Sequence, residues 1–210
     1  MPDFPSLLNI SNKHALIIGG GPVALRRAKA LLESAAHVTL VAPNIEPELA
    51  DLPITTHQRP FEESDLDLHS FVLVIIATDS CDTNNAAQAA ANKRNILVNR
   101  VDAPEQSDFT VPAHKHLGHL SISVHTSGVS AYASRTIRDQ ILETLDMDWI
   151  TILEIASPYR NMIQSSFKDP QMRQDKLKQL TNSDAVMIYK TQGLQAFEDH
   201  CQSLIPKTNH

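Results

Sequence analysis

The chain has 210 residues, a hydrophobic fraction of 42% and a formal net charge of −6, with 18 Lys and Arg against 24 Asp and Glu. That balance argues against a nucleic-acid binder, which needs a basic face, and against a polybasic membrane anchor, while no apolar run is long enough to span a bilayer. The cysteines Cys81 and Cys201 lie far apart and outside any C-x-x-C, so neither a disulfide framework nor a zinc site is expected, and a reduced cytoplasmic protein is.

The opening residues, Met1-Pro-Asp-Phe-Pro-Ser-Leu-Leu-Asn, lack a basic stretch ahead of an apolar core, so no signal peptide is expected. Phe4, Leu7, Leu8 and Ile10 read as a lead-in packed under a sheet. The apolar run from Ala15 to Ile18 then stops at three glycines, and helix-favouring residues follow at once, from Val23 to Ser34. This is a strand, a tight turn and a helix start in minimum length. Read as G-x-G-x-x-A, Gly19 allows the sharp turn, Gly21 lets a pyrophosphate approach the backbone, and Ala24 keeps the helix close to the strand. The helix N-terminus, with Pro22 and Val23 in its first turn, offers N–H groups and partial positive charge to phosphates. A glycine-rich turn with no ligand is the plainer reading.

Further along, His37 to Val41 predicts a second strand ended by Ala42-Pro43, and Ile54 to Arg59 a third. The acidic stretch from Glu62 to Asp67 reads as surface. Phe71 to Ala77 is the most hydrophobic run and predicts a central parallel strand buried on both faces. A helix over Thr83 to Arg94 follows, capped by Ser80 or Asp82, and then a strand over Ile96 to Val101. Phe109 to Val111 and His119 to Thr126 read as strands, the latter with Leu120, Ile122 and Val124 on one face. Ser130 caps a helix from Ala131 to Leu145. From Trp149 the composition is helical, with breaks at Pro158, Pro170 and Thr181-Asn-Ser, and residues 206–210 read as a loose end. The pattern predicts an α/β chain: a Rossmann-like doubly wound parallel sheet over 1–112, a small αβ segment over 113–146 and a helical domain over 147–210.

Ligands of such a sheet bind at the carboxyl ends of its strands, which brings the glycine turn, Ala77-Thr-Asp79 and Asn99-Arg-Val-Asp102 together. Thr78 and Asp79 are candidates for ribose or pyrophosphate contact, and Asp79 equally for a helix start. Val41-Ala-Pro-Asn44 has neither the acid that grips a ribose 2′-hydroxyl nor an arginine for a 2′-phosphate. The spacing leaves NAD and NADP open, with Pro43 and Asn44 as contacts and an uncharged Asn44 leaning toward NAD. Asp102, just past its strand, is suited to general-base or metal-ligand work, although Asp102-Ala-Pro104 is also ordinary turn chemistry. His114, His116, His119 and His125 lack partner cysteines or helical spacing, and surface or interface histidines explain them more simply than a permanent metal. Arg135 and Arg138 share a helix face and either bind substrate carboxylates or solvate the helix.

In combination, Phe4 to Asn9, Gly19 to Ala28, Val41-Ala-Pro43, Ile76-Ala-Thr-Asp79, Leu97 to Pro104, Asp108 to Pro112 and Thr126-Ser-Gly-Val-Ser130 resemble the siroheme-synthase dehydrogenase/chelatase family. The resemblance implies NAD-dependent oxidation of precorrin-2 to sirohydrochlorin and, in bifunctional members, insertion of ferrous iron (Fe2+) in the same cleft. It implies that Asp102 is the essential aspartate of both steps, with a transient contact to the iron, and that the segment after the nucleotide domain forms a homodimer. For a polycarboxylate tetrapyrrole it points to Arg100, Lys115, Thr126, Ser127, Arg135 and Arg138. The chain departs from the family at Arg100, His125, Ser127, Val129 and Ala131. A NAD-sensing regulatory module, or a tetrapyrrole-binding module without turnover, is the alternative reading.

Overall fold

The computed structural model describes residues 4–206; the loose end expected over 206–210 lies, past Pro206, outside them. The backbone divides into two compact units, one ending at Val111 and the other beginning at Pro112.

The first unit is a five-stranded sheet built from β1 (His14–Ile18), β2 (His37–Val41), β3 (Thr55–His57), β4 (Phe71–Ile76) and β5 (Leu97–Arg100). Its order is β3-β2-β1-β4-β5 and every pairing is parallel. Three of the helices between the strands are α1 (Pro22–Glu33), the short α2 (Pro47–Ala50) and α3 (Cys81–Lys93). Because side chains alternate along a strand, β1 feeds two cores. Ala15 and Ile17 pack with Val38, Leu40 and Ile75 beneath Ala24, Ala28 and Leu31 of α1. Leu16 and Ile18 pack with Val41, Val74 and Ile76 against Ala87, Ala90 and Ala91 of α3. Burial on both faces is what makes these strands continuously apolar. The cap of α3 is Ser80, whose Oγ accepts the Thr83 N–H at 3.2 Å.

Three expectations fail in this unit. Of the lead-in, Ile10 packs on the core, but Phe4 and Leu7 are 88% and 89% exposed and Leu8 is also exposed. The acidic stretch is not wholly surface: Asp65 is buried, held by the Arg59 guanidinium and by the Glu62 N–H at 2.8 Å. Phe109 to Val111 form no strand. Residues 107–109 instead clip the outer edge of β5 through side chains and one backbone bond, from the Asp108 N–H to the Val98 carbonyl at 2.8 Å. Ser107 Oγ accepts the Arg100 N–H at 2.8 Å, Asp108 Oδ2 accepts the Val98 N–H at 2.9 Å, and Asn99 donates to the Phe109 carbonyl at 2.9 Å. An edge closed this way offers no template for another strand. At the opposite, amino ends of the strands, His14 of β1 stacks on His69 at 4.2 Å and lies 5.1 Å from His37 of β2.

The second unit opens with a hairpin, β6 (Ala113–Leu117) and β7 (Leu120–Val124), turned at Gly118 with φ +57°. Helix α4 (Ala131–Thr144) packs on it, capped by Ser130 Oγ accepting the Ala133 N–H at 3.0 Å. Helices α5 (Asp148–Ser166), α6 (Pro170–Leu180), α7 (Ser183–Gln192) and α8 (Leu194–Ser203) enclose a core of Ile152, Ala156, Ile163, Leu180, Ala185, Phe197, Cys201 and Leu204. The break expected at Pro158 does not occur. Pro158 is exposed inside α5, on a face it shares with exposed Glu154, while the opposite face is held by the core. Among the described residues no helix is long and apolar enough to cross a membrane.

Candidate dinucleotide-binding site

Each glycine after β1 answers a different demand. At Gly19 φ is +121°, and a Cβ there would lie 2.2 Å from the Ala77 carbonyl oxygen at the end of β4. At Gly20 a Cβ would lie 2.0 Å from the Asn44 carbonyl oxygen in the loop after β2. At Gly21 a Cβ would meet nothing within 4 Å, so this is the open side of the turn. The pattern reading anticipated the sharp turn at Gly19 and the open approach at Gly21. It assigned nothing to Gly20, whose constraint comes from a distant loop.

Gly21 is also the N-cap of α1, which has no side-chain cap and no acidic residue in its first turn. Pro22 brings no N–H, and the Leu25 N–H bonds the Gly21 carbonyl at 3.1 Å. The Val23 and Ala24 N–H groups are left without a side-chain acceptor at the positive end of a twelve-residue helix. Ala24 itself is fully buried against the sheet, the close-packing role expected of it.

The turn opens on a cleft of about 630 Å³ lined by residues 18–23, 41–47, 60–61, 77–80 and 83. This brings together Gly19, Gly21, Pro22, Val23, Pro43, Asn44, Thr78 and Asp79. The Thr78 hydroxyl donates to Asn84 Oδ1 at 2.6 Å and accepts the Ser80 N–H at 3.2 Å, so it shapes the cleft floor. Since Ser80 is the cap, Asp79 is an exposed carboxylate in the cleft wall. A second carboxylate in the lining, Glu46, is absent from the sequence reading. The strand pattern ends the candidate contacts at Asn44, but the loop folds back until the Glu46 N–H reaches the Gly20 carbonyl at 2.9 Å. An acid framed by Pro43 and Pro47 was the available signal. A glycine cradle that a Cβ would fill, unengaged helix N–H groups and a cleft of this size fit a dinucleotide pyrophosphate.

Asp102 is not free. Arg100 grips it as a fork, Nε to Oδ1 at 3.0 Å and Nη2 to Oδ2 at 2.5 Å. That hydrogen-bonded guanidinium, against the opposing effect of burial and with help from Asn84, holds the Asp102 carboxyl down to about 2. A carboxylate of that acidity is a weak proton acceptor. Arg100 itself is 3% exposed, and its Nη1 also donates to Asn85, Gln88 and Gln106 at 2.7, 2.9 and 3.3 Å. Its assignment as a contact for substrate carboxylates is corrected accordingly, because its donors are committed inside the protein. Asp102 lies outside the cleft lining.

The other candidates belong to the second unit. Lys115 on β6 and Arg135 on α4 are exposed. Arg138 donates to the His114 carbonyl at 3.2 Å and pairs with Asp139, which ties it to β6. The Thr126 hydroxyl donates to the Ser130 carbonyl at 3.0 Å and holds the turn, and Ser127 takes a left-handed φ of +49°. His114 Nδ1 lies 3.0 Å from the Pro112 carbonyl and His116 Nδ1 2.7 Å from Ser121 Oγ. Among the described residues no three His, Cys, Asp or Glu side chains converge as metal ligands.

Comparison with known proteins agrees with this geometry. A siroheme synthase of Acinetobacter baylyi is 35% identical over 177 residues, covering 82% of this chain and 38% of that protein. One of Nitrosomonas eutropha is 31% identical over 205 residues, covering 94% of this chain and 43% of the relative. The chain thus spans about two fifths of the length of the curated relatives it matches. Among solved structures, "SirC, precorrin-2 dehydrogenase" superposes with a TM-score of 0.71 over 96% of this chain and 98% of that one, at 20% identity, a likeness of fold. A family described as putative NAD(P)-binding matches residues 6–113. With the glycine cradle and the parallel sheet seated in those same residues, the chain belongs to the putative NAD(P)-binding family and has siroheme synthases among its homologues.

Proposed function

We propose that the chain is an NAD-dependent dehydrogenase that oxidises precorrin-2 to sirohydrochlorin. The observation that carries this reading is the cradle open at Gly21 beside the unengaged Val23 and Ala24 N–H groups, in a homologue of siroheme synthases. The reaction removes one hydride and one proton from the tetrapyrrole; the dinucleotide, when bound, would accept the hydride, and the proton would leave to solvent water. Gly19 and Gly21 make room for its pyrophosphate, Val23 and Ala24 donate to it, and Pro43, Asn44, Thr78 and Asp79 line its cleft. Asp102, kept ionised by Arg100, acts through fixed negative charge, and Arg100 is its positioning residue. Lys115 and Arg135, exposed cations, meet the substrate carboxylates, with Thr126, Ser127 and Arg138 shaping their surroundings. Ferrous iron is the substrate of a second step, in which the pyrrole protons of sirohydrochlorin leave as the metal enters.

The working form in this reading is a homodimer. Val129 and Tyr132 are 85% and 75% exposed, Ile137 and Ile141 are exposed on α4, and that helix buries only Ser134. Apolar surface of this kind supports a protein partner, here a second copy. Two free thiols, Cys81 and Cys201, suit a reducing cytoplasm.

The test is anaerobic incubation with precorrin-2 and NAD, following NADH and the sirohydrochlorin spectrum, then addition of ferrous iron. NADH formation is expected from the wild type, and its absence sinks the reading. Asp102→Ala is expected to abolish turnover while NADH still binds; near-normal rates remove Asp102 from the mechanism. One observation favours a module that binds without turnover, namely the Arg100 fork that occupies both Asp102 oxygens. Binding of NADH and tetrapyrrole without any NADH production is its signature.

A further inference from the structure

We infer that Glu46 makes the cleft selective for the dinucleotide without a 2′-phosphate; the inference rests on the reading of the cleft as a dinucleotide site. The loop from Pro43 to Glu46 is fixed against the glycine turn at two points. The Asn44 carbonyl oxygen sits where a Gly20 side chain would begin, and the Glu46 N–H donates to the Gly20 carbonyl at 2.9 Å. The Glu46 carboxylate is therefore carried on a backbone locked to the phosphate-binding turn, beyond the end of β2. In sheets of this order that region faces the adenosine ribose. A carboxylate there accepts hydrogen bonds from free ribose hydroxyls and repels a phosphate in their place.

The rest of the lining sharpens the discrimination. Its charged side chains are Glu46 and Asp79, both acids, and among the described residues no lysine, arginine or histidine lines the cleft. Arg59, adjoining the lining residue Pro60, is committed to buried Asp65 and to the Pro60 carbonyl at 3.0 Å. A 2′-phosphate would enter an acidic cleft with no counter-ion in its wall. Asn44, the residue first met after the strand, is neutral and discriminates weakly by charge.

The experiment titrates the whole chain with NADH and with NADPH at equal ionic strength, by calorimetry or nicotinamide fluorescence, with no tetrapyrrole present. The wild type is expected to bind NADH at least about tenfold more tightly, Glu46→Gln to close most of that gap by gaining NADPH affinity, and Glu46→Arg to invert it. Equal wild-type affinities, or an unchanged ratio in Glu46→Gln, overturn the inference while leaving the dinucleotide reading in place. Binding of neither nucleotide overturns both. Loss of selectivity in Asp79→Asn but not in Glu46→Gln moves the role to Asp79 and overturns it for Glu46.

Discussion

Gly19 and Gly21 differ by two positions and call for opposite outcomes on substitution. Gly19→Ala forces a side chain into the left-handed region and onto the Ala77 carbonyl, and the strained backbone alone costs about 1–3 kcal/mol. A clearly lowered melting temperature is expected. Gly21→Ala has an ordinary φ of −92° and open space, so the melting temperature holds. Its methyl group occupies the pyrophosphate approach, and NADH affinity falls about tenfold or more. Unchanged NADH binding in Gly21→Ala would remove the turn as the phosphate site. A third residue-scale expectation concerns Arg59. Burial works to raise the Asp65 carboxyl, but the Arg59 hydrogen bond and the Glu62 N–H outweigh it and hold it low. Arg59→Ala strands that buried charge and is expected to destabilise the fold. Water reaches Arg59, so the loss is smaller than for a fully buried pair. Denaturant unfolding of the variant checks it, and an unchanged midpoint refutes it.

At the scale of elements, the amino edge of the sheet brings three histidines together. Burial, followed by the neighbouring His69 and His37, pushes His14 below its ordinary value. The fold therefore prefers His14 neutral, and as pH falls through about 6.5 the unfolded chain takes up its proton first. Stability is full above that pH and is lost on acidification. Thermal melts from pH 7.5 to 5.5 are expected to fall, and to fall less in His14→Gln; an equal slope in both removes His14 from the effect. The regular strands were legible because burial on both faces leaves an apolar run, as in Phe71 to Ile76, and Ser80 and Ser130 were legible as caps. The misses at Asp65, Phe109 and Pro158 share one cause, which is side-chain contact and packing that composition and periodicity do not display. Asp65 is buried because Arg59 meets it, Phe109 is drawn to β5 by Asn99 and by the Asp108 N–H bond to the Val98 carbonyl, and α5 survives Pro158 because its other face is packed. The candidate site was legible at its glycines but not at Glu46, whose position depends on a loop folding back onto Gly20. Nor was the Arg100 fork visible, since two nearby residues of opposite charge reveal nothing of their geometry.

For the whole molecule, the exposed apolar face of α4 carries the prediction. Ile137 and Ile141 lie one turn apart on one face. The double variant Ile137→Asp, Ile141→Asp is expected to sediment as a monomer and still to bind NADH, because the glycine turn belongs to the first unit. A dimer that persists in this variant moves the interface elsewhere.

The central position of β1 has a consequence for the order of assembly. The cradle is closed by the Asn44 carbonyl after β2 and the Ala77 carbonyl after β4, two loops that β1 meets only across long stretches of chain. Parallel pairings of that kind form late, because loop closure precedes any gain from contact. A chain leaving the ribosome carries its glycine turn early but cannot grip a phosphate until β4 has docked on the far side. Dinucleotide capture thus reports that β2 and β4 are docked on β1. By mass action it also secures that sheet, by about 2.7 kcal/mol when the nucleotide stands a hundredfold above its Kd.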